Sequence, residues 1–162
     1  MIRRRVAARA RRRSAESRAG DRVSPRGPLR ALRVAVPQRP PPSVLVLAPP
    51  GQESDELFAD LSRREDLTLL RVPNASAASV ALGEMPVALV VACPEVEAAT
   101  VDVLLARIAA VRPGTPVLAI RGRKAAEPSA WKARGVGVLR MPLLPGVLGR
   151  SVDVVLGMRG GT

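Results

Sequence analysis

The chain has 162 residues, enough for one ordinary domain and too few for two with a tail, and its formal charge of +12 is unevenly spread. Residues 1–42 carry 13 Arg against Glu16 and Asp21, a net +11, whereas residues 43–162 carry 13 Lys and Arg against 12 Asp and Glu, a net +1. With no His, one Cys and only Phe58 and Trp131 as aromatics, histidine-dependent catalysis, His or thiolate metal sites and internal disulfides are excluded, and base-stacking platforms are disfavoured.

The first segment reads as an arm. Met1 to Arg13 alternates Arg with small or apolar residues, so a helix drawn through it would carry charge on nearly every side and have no apolar stripe to bury. Ser24-Pro25, Gly27-Pro28, Pro37 and Arg39-Pro40-Pro41-Pro42 block helix further on. Disorder over residues 1–42 is the expectation. The functional alternative is a polybasic arm whose Arg3, Arg4, Arg5, Arg11, Arg12 and Arg13 contact phosphate on nucleic acid or anionic lipid. The arm lacks the apolar core of a secretory signal; its Arg-rich, acid-poor start has the composition of an organelle transit peptide.

From Ser43 onward, apolar runs of strand length alternate with segments of helical period, the pattern of a parallel sheet covered by helices. The first strand is Val44 to Leu47, stopped by Pro49-Pro50-Gly51, and the following helix is entered through Ser54-Asp55-Glu56 as capping residues, with Leu57, Phe58 and Leu61 inward. Leu67 to Val72 is the second strand; Asn74 or Ser76 caps an Ala-rich helix that Gly83 ends. Asn74-Ala75-Ser76 matches a glycosylation sequon, read as accidental without a secretion signal. Val87 to Ala92 is apolar on both faces and therefore central. Val101, Leu104, Leu105, Ile108 and Val111 then form one helical stripe. Thr115 to Ile120 is the fourth strand, a short helix covers Pro128 to Arg134, and Gly137 to Arg140 is the fifth strand. The last helix carries Val147, Leu148, Val152, Val155 and Leu156 inward. The expected fold is α/β, a doubly wound five-stranded parallel sheet of the flavodoxin-like (βα)5 type over residues 43–162.

Ligands of such sheets sit at the carboxyl ends of the strands. Those ends offer Ala48-Pro49-Pro50, Ala92-Cys93-Pro94, Arg121-Gly122 and Met141-Pro142. None is a carboxylate, so no acidic Mg site is expected there, and the single Gly of the first loop matches neither dinucleotide nor phosphate-loop motifs.

Over about residues 43–158 the pattern resembles the receiver domain of bacterial response regulators. Arg112-Pro113-Gly114-Thr115-Pro116-Val117-Leu118-Ala119-Ile120 looks like the family's link from third helix to fourth strand. Ala133-Arg134-Gly135-Val136 looks like its Ala-x-Gly-Ala, and Leu139-Arg140-Met141-Pro142-Leu143 like its Leu-x-Lys-Pro-Phe. The resemblance implies an acidic pair for Mg after the first strand, a phospho-accepting Asp after the third, Ser or Thr after the fourth and Lys after the fifth. Here those positions carry Ala48 and Pro49, Ala92 or Cys93, Arg121 and Met141; the aromatic switch position is Val138, and Pro142 is the proline often preceded by a cis bond. The resemblance therefore implies a degenerate pseudo-receiver.

Three residues keep two readings each. Cys93 is a redox-sensitive thiol or a buried filler; Arg121 binds an anion or locks a fixed conformation, or else is a solvated loop residue; Trp131 is core or an interface anchor. The functional expectation is a non-enzymatic, phosphorylation-independent module of bacterial signalling, cytoplasmic, without cofactor or metal and without a membrane span. It would present its fourth helix, fifth strand and fifth helix, with Trp131, Val138, Arg140 and Pro142, to a protein partner in trans or to a second copy. The alternative is binding of nucleic acid or an anionic surface through the arm. An enzyme using Asp55, Glu56, Glu95 or Glu97 is disfavoured, because helix capping accounts for the first pair.

Overall fold

Four- and five-residue runs of Val, Leu, Ile and Ala are too short for stable helices and apolar on both sides, so they are satisfied only as strands covered on both faces. The structure, a computed structural model, describes residues 39–157. Over these residues strands and helices alternate: β1 Ser43–Leu47, α1 Gln52–Ser62, β2 Thr68–Val72, α2 Ala75–Glu84, β3 Leu89–Ala92, α3 Ala98–Val111, β4 Val117–Arg121, α4 Ser129–Ala133, β5 Gly137–Arg140 and α5 Val147–Leu156. The strands form one parallel sheet in the order β2-β1-β3-β4-β5. β3 is central, as its two-sided apolar pattern implies, and all four of its residues are buried. The arginines Arg3, Arg4, Arg5, Arg11, Arg12 and Arg13 lie outside the described residues.

The strand order reverses direction once, after β2. Right-handed crossovers then put α1 on one face and α2, α3 and α4 on the other. Side chains hold these layers. Arg64, just past α1, reaches Asp153 of α5 at 2.7 Å, Arg112 Nε donates to Leu82 O between α3 and α2 at 2.9 Å, and Trp131 Nε1 of α4 donates to Asp102 Oδ1 of α3 at 2.9 Å. The core is a single cluster running from Val44–Ala48 through Leu89–Cys93 to Val117–Ile120, closed by Phe58, Leu61, Leu82, Leu104 and Trp131.

Several boundaries differ from expectation, each for a local reason. α1 starts at Gln52 after Gly51 and has no side-chain cap; Ser54 lies inside the helix, buried, with its hydroxyl donating to Pro49 O at 3.2 Å. Glu53 and Asp55 still occupy the first turn, where they favour the helix dipole. Asn74 does cap α2, accepting from Ala77 N at 2.9 Å, but the helix runs through Gly83 to Glu84. β4 begins at Val117, directly after Pro116, which has no N–H to give the ladder, and β3 begins at Leu89, with Ala88 N already donating to Ser43 O at 2.8 Å. In α5 only Leu148 and Val152 are buried, and Val155 joins Val154 on the exposed side. Among the described residues, no helix is long and apolar enough to cross a membrane.

Leu45 is fully buried on β1 and paired to β2 and β3 through Leu70 and Val90. Leu45→Ala is expected to cost about 3 kcal/mol in urea unfolding, whereas Val154→Ala on the exposed side of α5 should stay within about 0.5 kcal/mol. Equal effects would contradict this register.

Candidate functional site

Because all strands are parallel, their carboxyl ends meet at one edge. The ladder continues one residue past the strands: Ala48 N donates to Val72 O at 3.0 Å, Cys93 N to Leu47 O at 3.0 Å and Met141 N to Arg121 O at 2.9 Å. The structure thus brings Ala48, Pro49, Ala92, Cys93, Arg121 and Met141 to the same edge. The floor of that edge is apolar and closed, with Ala48, Ala92 and Cys93 all buried.

Above it lies a cleft of about 560 Å³, lined by Pro49, Gly51, Glu53, Ser54, Glu56 and Glu95. Met141 lines an adjoining cleft with Leu57 and Pro94, and Glu53, Glu56 and Glu95 border both. Carboxylates therefore reach the edge from α1 and from the β3–α3 loop, and Glu53 was not anticipated among them. Its place in the first turn of α1 follows from the helix starting at Gln52. The capping roles expected for Asp55 and Glu56 are replaced by contacts with neighbours: Asp55 pairs with Arg71 of β2, and Glu56 accepts from Gln52 Nε2 at 3.0 Å. Among the described residues, no three acidic or thiol side chains gather closely enough to hold a metal ion.

Cys93 is a buried filler. Burial, and then the neighbouring Glu95 carboxylate, push its thiol from the ordinary 9.0 up to about 12, so it is protonated at neutral pH. A thiol in that state is a poor nucleophile.

Arg121 is not the freely solvated loop residue of the second reading. It is half-buried, its Nη1 donates to Val96 O at 2.8 Å, and its guanidinium carbon lies 5.6 Å from the centre of the Trp131 ring. Its Nε is buried without a partner. The guanidinium is thus held between the β3–α3 loop and α4, with one of its donors spent on a backbone carbonyl.

Trp131 was a candidate interface anchor, and here the structure corrects the expectation: its side chain is 0% exposed. It is the only buried residue of the five-residue α4, packs under Arg121, and finds its N–H acceptor in Asp102, which also lies 3.8 Å from Arg134. An indole buried with its N–H satisfied is a structural anchor. The acceptor lies 29 residues away on α3, which no local pattern reveals.

The remaining residues of the expected face are more accessible. Val138 is half-buried, whereas Arg140 and Pro142 are exposed, and the Met141–Pro142 bond is cis. Arg140 Nη1 donates to Ala125 O at 2.5 Å and its Nη2 to Glu127 Oε2 at 3.1 Å. Leu144 and Val154 are 74% and 79% exposed, the most accessible of the exposed large apolar side chains among the described residues.

This order of elements and strands defines a receiver-type, flavodoxin-like fold. No family model matches the chain, and no curated protein matches it by sequence. Solved structures do match. The signal receiver domain of a LuxO repressor protein from Vibrio parahaemolyticus is 16% identical with a TM-score of 0.61, covering 72% of this chain and 91% of that one. The chemotaxis protein CheY4 of Vibrio cholerae is 15% identical with a TM-score of 0.59, covering 71% and 98%. A response regulator receiver protein from Burkholderia phymatum is 18% identical with a TM-score of 0.57, covering 75% and 99%. At these identities the likeness is one of fold.

Two outcomes follow from the geometry. Trp131 emission should be shielded from acrylamide in the native chain and become quenchable on unfolding, and Trp131→Ala should cost about 3 to 5 kcal/mol. Cys93 has a folded pKa above its unfolded one, so its contribution to stability is present below about pH 9 and is lost as pH rises toward 12. The sequence contains no Tyr, and its Lys124 and Lys132 are exposed. Thermal melts across that window should therefore decline in the parent and flatten in Cys93→Ala. A parallel decline in both would remove Cys93 as the cause.

Proposed function

We propose that this chain is a phosphorylation-independent pseudo-receiver, a non-enzymatic module of bacterial signalling or regulation that acts in the cytoplasm by binding a protein partner in trans. In this reading residues 1–42 are a separate arm and residues 43–162 the receiver-like domain. The observation that carries it is the state of the strand ends. Where phosphotransfer to a receiver would need a metal-binding acidic pair and an acceptor carboxylate, the edge presents buried Ala48, Ala92 and Cys93 together with Pro49. Where it would need a hydroxyl and an ammonium group, it presents Arg121 and Met141.

The contacts of Arg121 support the same reading. Its bond to Val96 O and its stacking on Trp131 join α4 to the β3–α3 loop without any added phosphate. A face fixed in this way favours one standing conformation over a switched pair. The partner surface in this proposal is α4, β5 and α5, with Val138, Arg140 and Pro142 and with the exposed Leu144 and Val154 as apolar contacts in place of Trp131. A homodimer through this face is one arrangement it allows.

Incubation of the full chain with acetyl phosphate, and separately with beryllofluoride and Mg, tests the proposal by intact mass and by Trp131 fluorescence. The expected result is no mass gain and no saturable fluorescence change. A covalent phosphate, or a saturable Mg-dependent change, would overturn it.

A further inference from the structure

Charge within the domain is divided along the chain and, because of the topology, across the sheet. Residues 43–120 carry 5 Lys and Arg against 10 Asp and Glu, a net −5. Residues 121–150 carry 7 Lys and Arg against Glu127 alone, a net +6. The second stretch is the end of β4, α4, β5 and the start of α5, and β5 is an edge strand. Most of the positive stretch, from Arg121 to Arg140, therefore lies toward one edge of the sheet, where Asp102 of α3 reaches it at Arg134.

The cations on that edge are available. Arg123, Lys124 and Lys132 are exposed and, among the described residues, have no carboxylate within 4 Å. Arg123 and Lys124 also sit on a braced turn. Ala125 N donates to Gly122 O at 3.1 Å, and Arg140 ties Ala125 O and Glu127 to β5. Lys132 lies on α4, which Trp131 fixes to α3. These groups need little ordering to meet an anion, which lowers the cost of binding.

We propose that the β4–α4–β5 edge is a binding site for the phosphate backbone of duplex nucleic acid. Three observations favour that occupant. The site offers cations without aromatic rings, since Phe58 and Trp131 are both buried, so it is suited to phosphates and not to stacked single-strand bases. Between Arg123 and Arg134 the chain itself carries no exposed large apolar side chain, so this segment offers an inserting lipid surface no apolar anchor of its own. The 13 Arg of residues 1–42 provide a second block of positive charge in the same chain, as a long polyanion would need. The acidic remainder of the domain would turn away from such a polyanion and orient this edge toward it.

The test uses the full chain and a labelled mixed-sequence DNA duplex of about 25 base pairs, with anisotropy titrations over a range of salt. Reversal of three edge cations, Arg123→Glu with Lys124→Glu and Lys132→Glu, is expected to weaken binding about tenfold or more and to lower the salt slope by about 3, at roughly 0.9 per phosphate contact. The same positions changed to Gln give a milder variant, and an unchanged melting temperature in either confirms a folded domain. Arg3→Glu with Arg4→Glu and Arg5→Glu reports the arm separately. Three results would each overturn the site. The parent chain does not bind duplex at low salt; edge reversal leaves affinity and slope unchanged while arm reversal removes them; or edge reversal weakens binding to phosphatidylserine vesicles and not to the duplex.

Discussion

A helix of five residues cannot hold its own place. α4 has too few intrahelical bonds to be stable alone, and one buried side chain, Trp131, fastens it. The indole lies under the Arg121 guanidinium and donates to Asp102, so three consecutive elements of the fold, α3, β4 and α4, meet at one ring. Val136 N donates to Trp131 O at 3.0 Å, carrying the same anchor into the approach to β5. The course of the chain from Gly122 to Arg140, and with it the whole basic edge, depends on this contact.

The same contact reaches the carboxyl edge. Arg121 ends β4 at the carboxyl edge, and its guanidinium turns toward Val96 O and the Trp131 ring. A half-buried guanidinium is retained because it is partly hydrogen-bonded and stacked, and its unpartnered Nε is the residual cost of that position. Cys93 completes the closure from below, because a buried thiol pushed up to about 12 is an apolar plug at neutral pH. Glu53, Glu56 and Glu95 stand around the rim, yet as separate carboxylates on a helix and a loop they are placed by α1 and not by each other.

The fold was legible in the sequence because its strands are apolar on both faces and its main helix is apolar on one. Val101, Leu104 and Ile108 are buried at the spacing that marks them, and β3 sits where its composition requires. Ends were less legible. Gly83 lies inside α2, since a glycine costs a helix only about 1 kcal/mol and the helix continues until Met85 adopts an extended backbone. Ser54 reads as a cap from composition, but Gly51 starts the helix earlier and turns Ser54 inward. Trp131 was equally ambiguous, because a lone indole on a short helix is core or surface according to whether a distant acceptor exists. Asp102 supplies it, from a part of the chain that no local window includes.

The division of charge has the opposite character: it is fully visible in composition, but its meaning depends on topology. A net −5 followed by a net +6 along the chain would cancel if the two stretches were interleaved in space. The strand order prevents that. β1, β2 and β3 occupy one side of the sheet, while β4 and β5 follow outward without a further reversal, so most of the two stretches is separated in space and they meet where Asp102 of α3 touches Trp131 and Arg134 of α4. At separations beyond about 8 Å, physiological salt screens exposed charges from one another, so the two sides act as separate electrostatic surfaces. The receiver-type scaffold thus carries an apolar floor of Ala48, Ala92 and Cys93 at its carboxyl edge and exposed cations at Arg123, Lys124 and Lys132 toward the β5 edge.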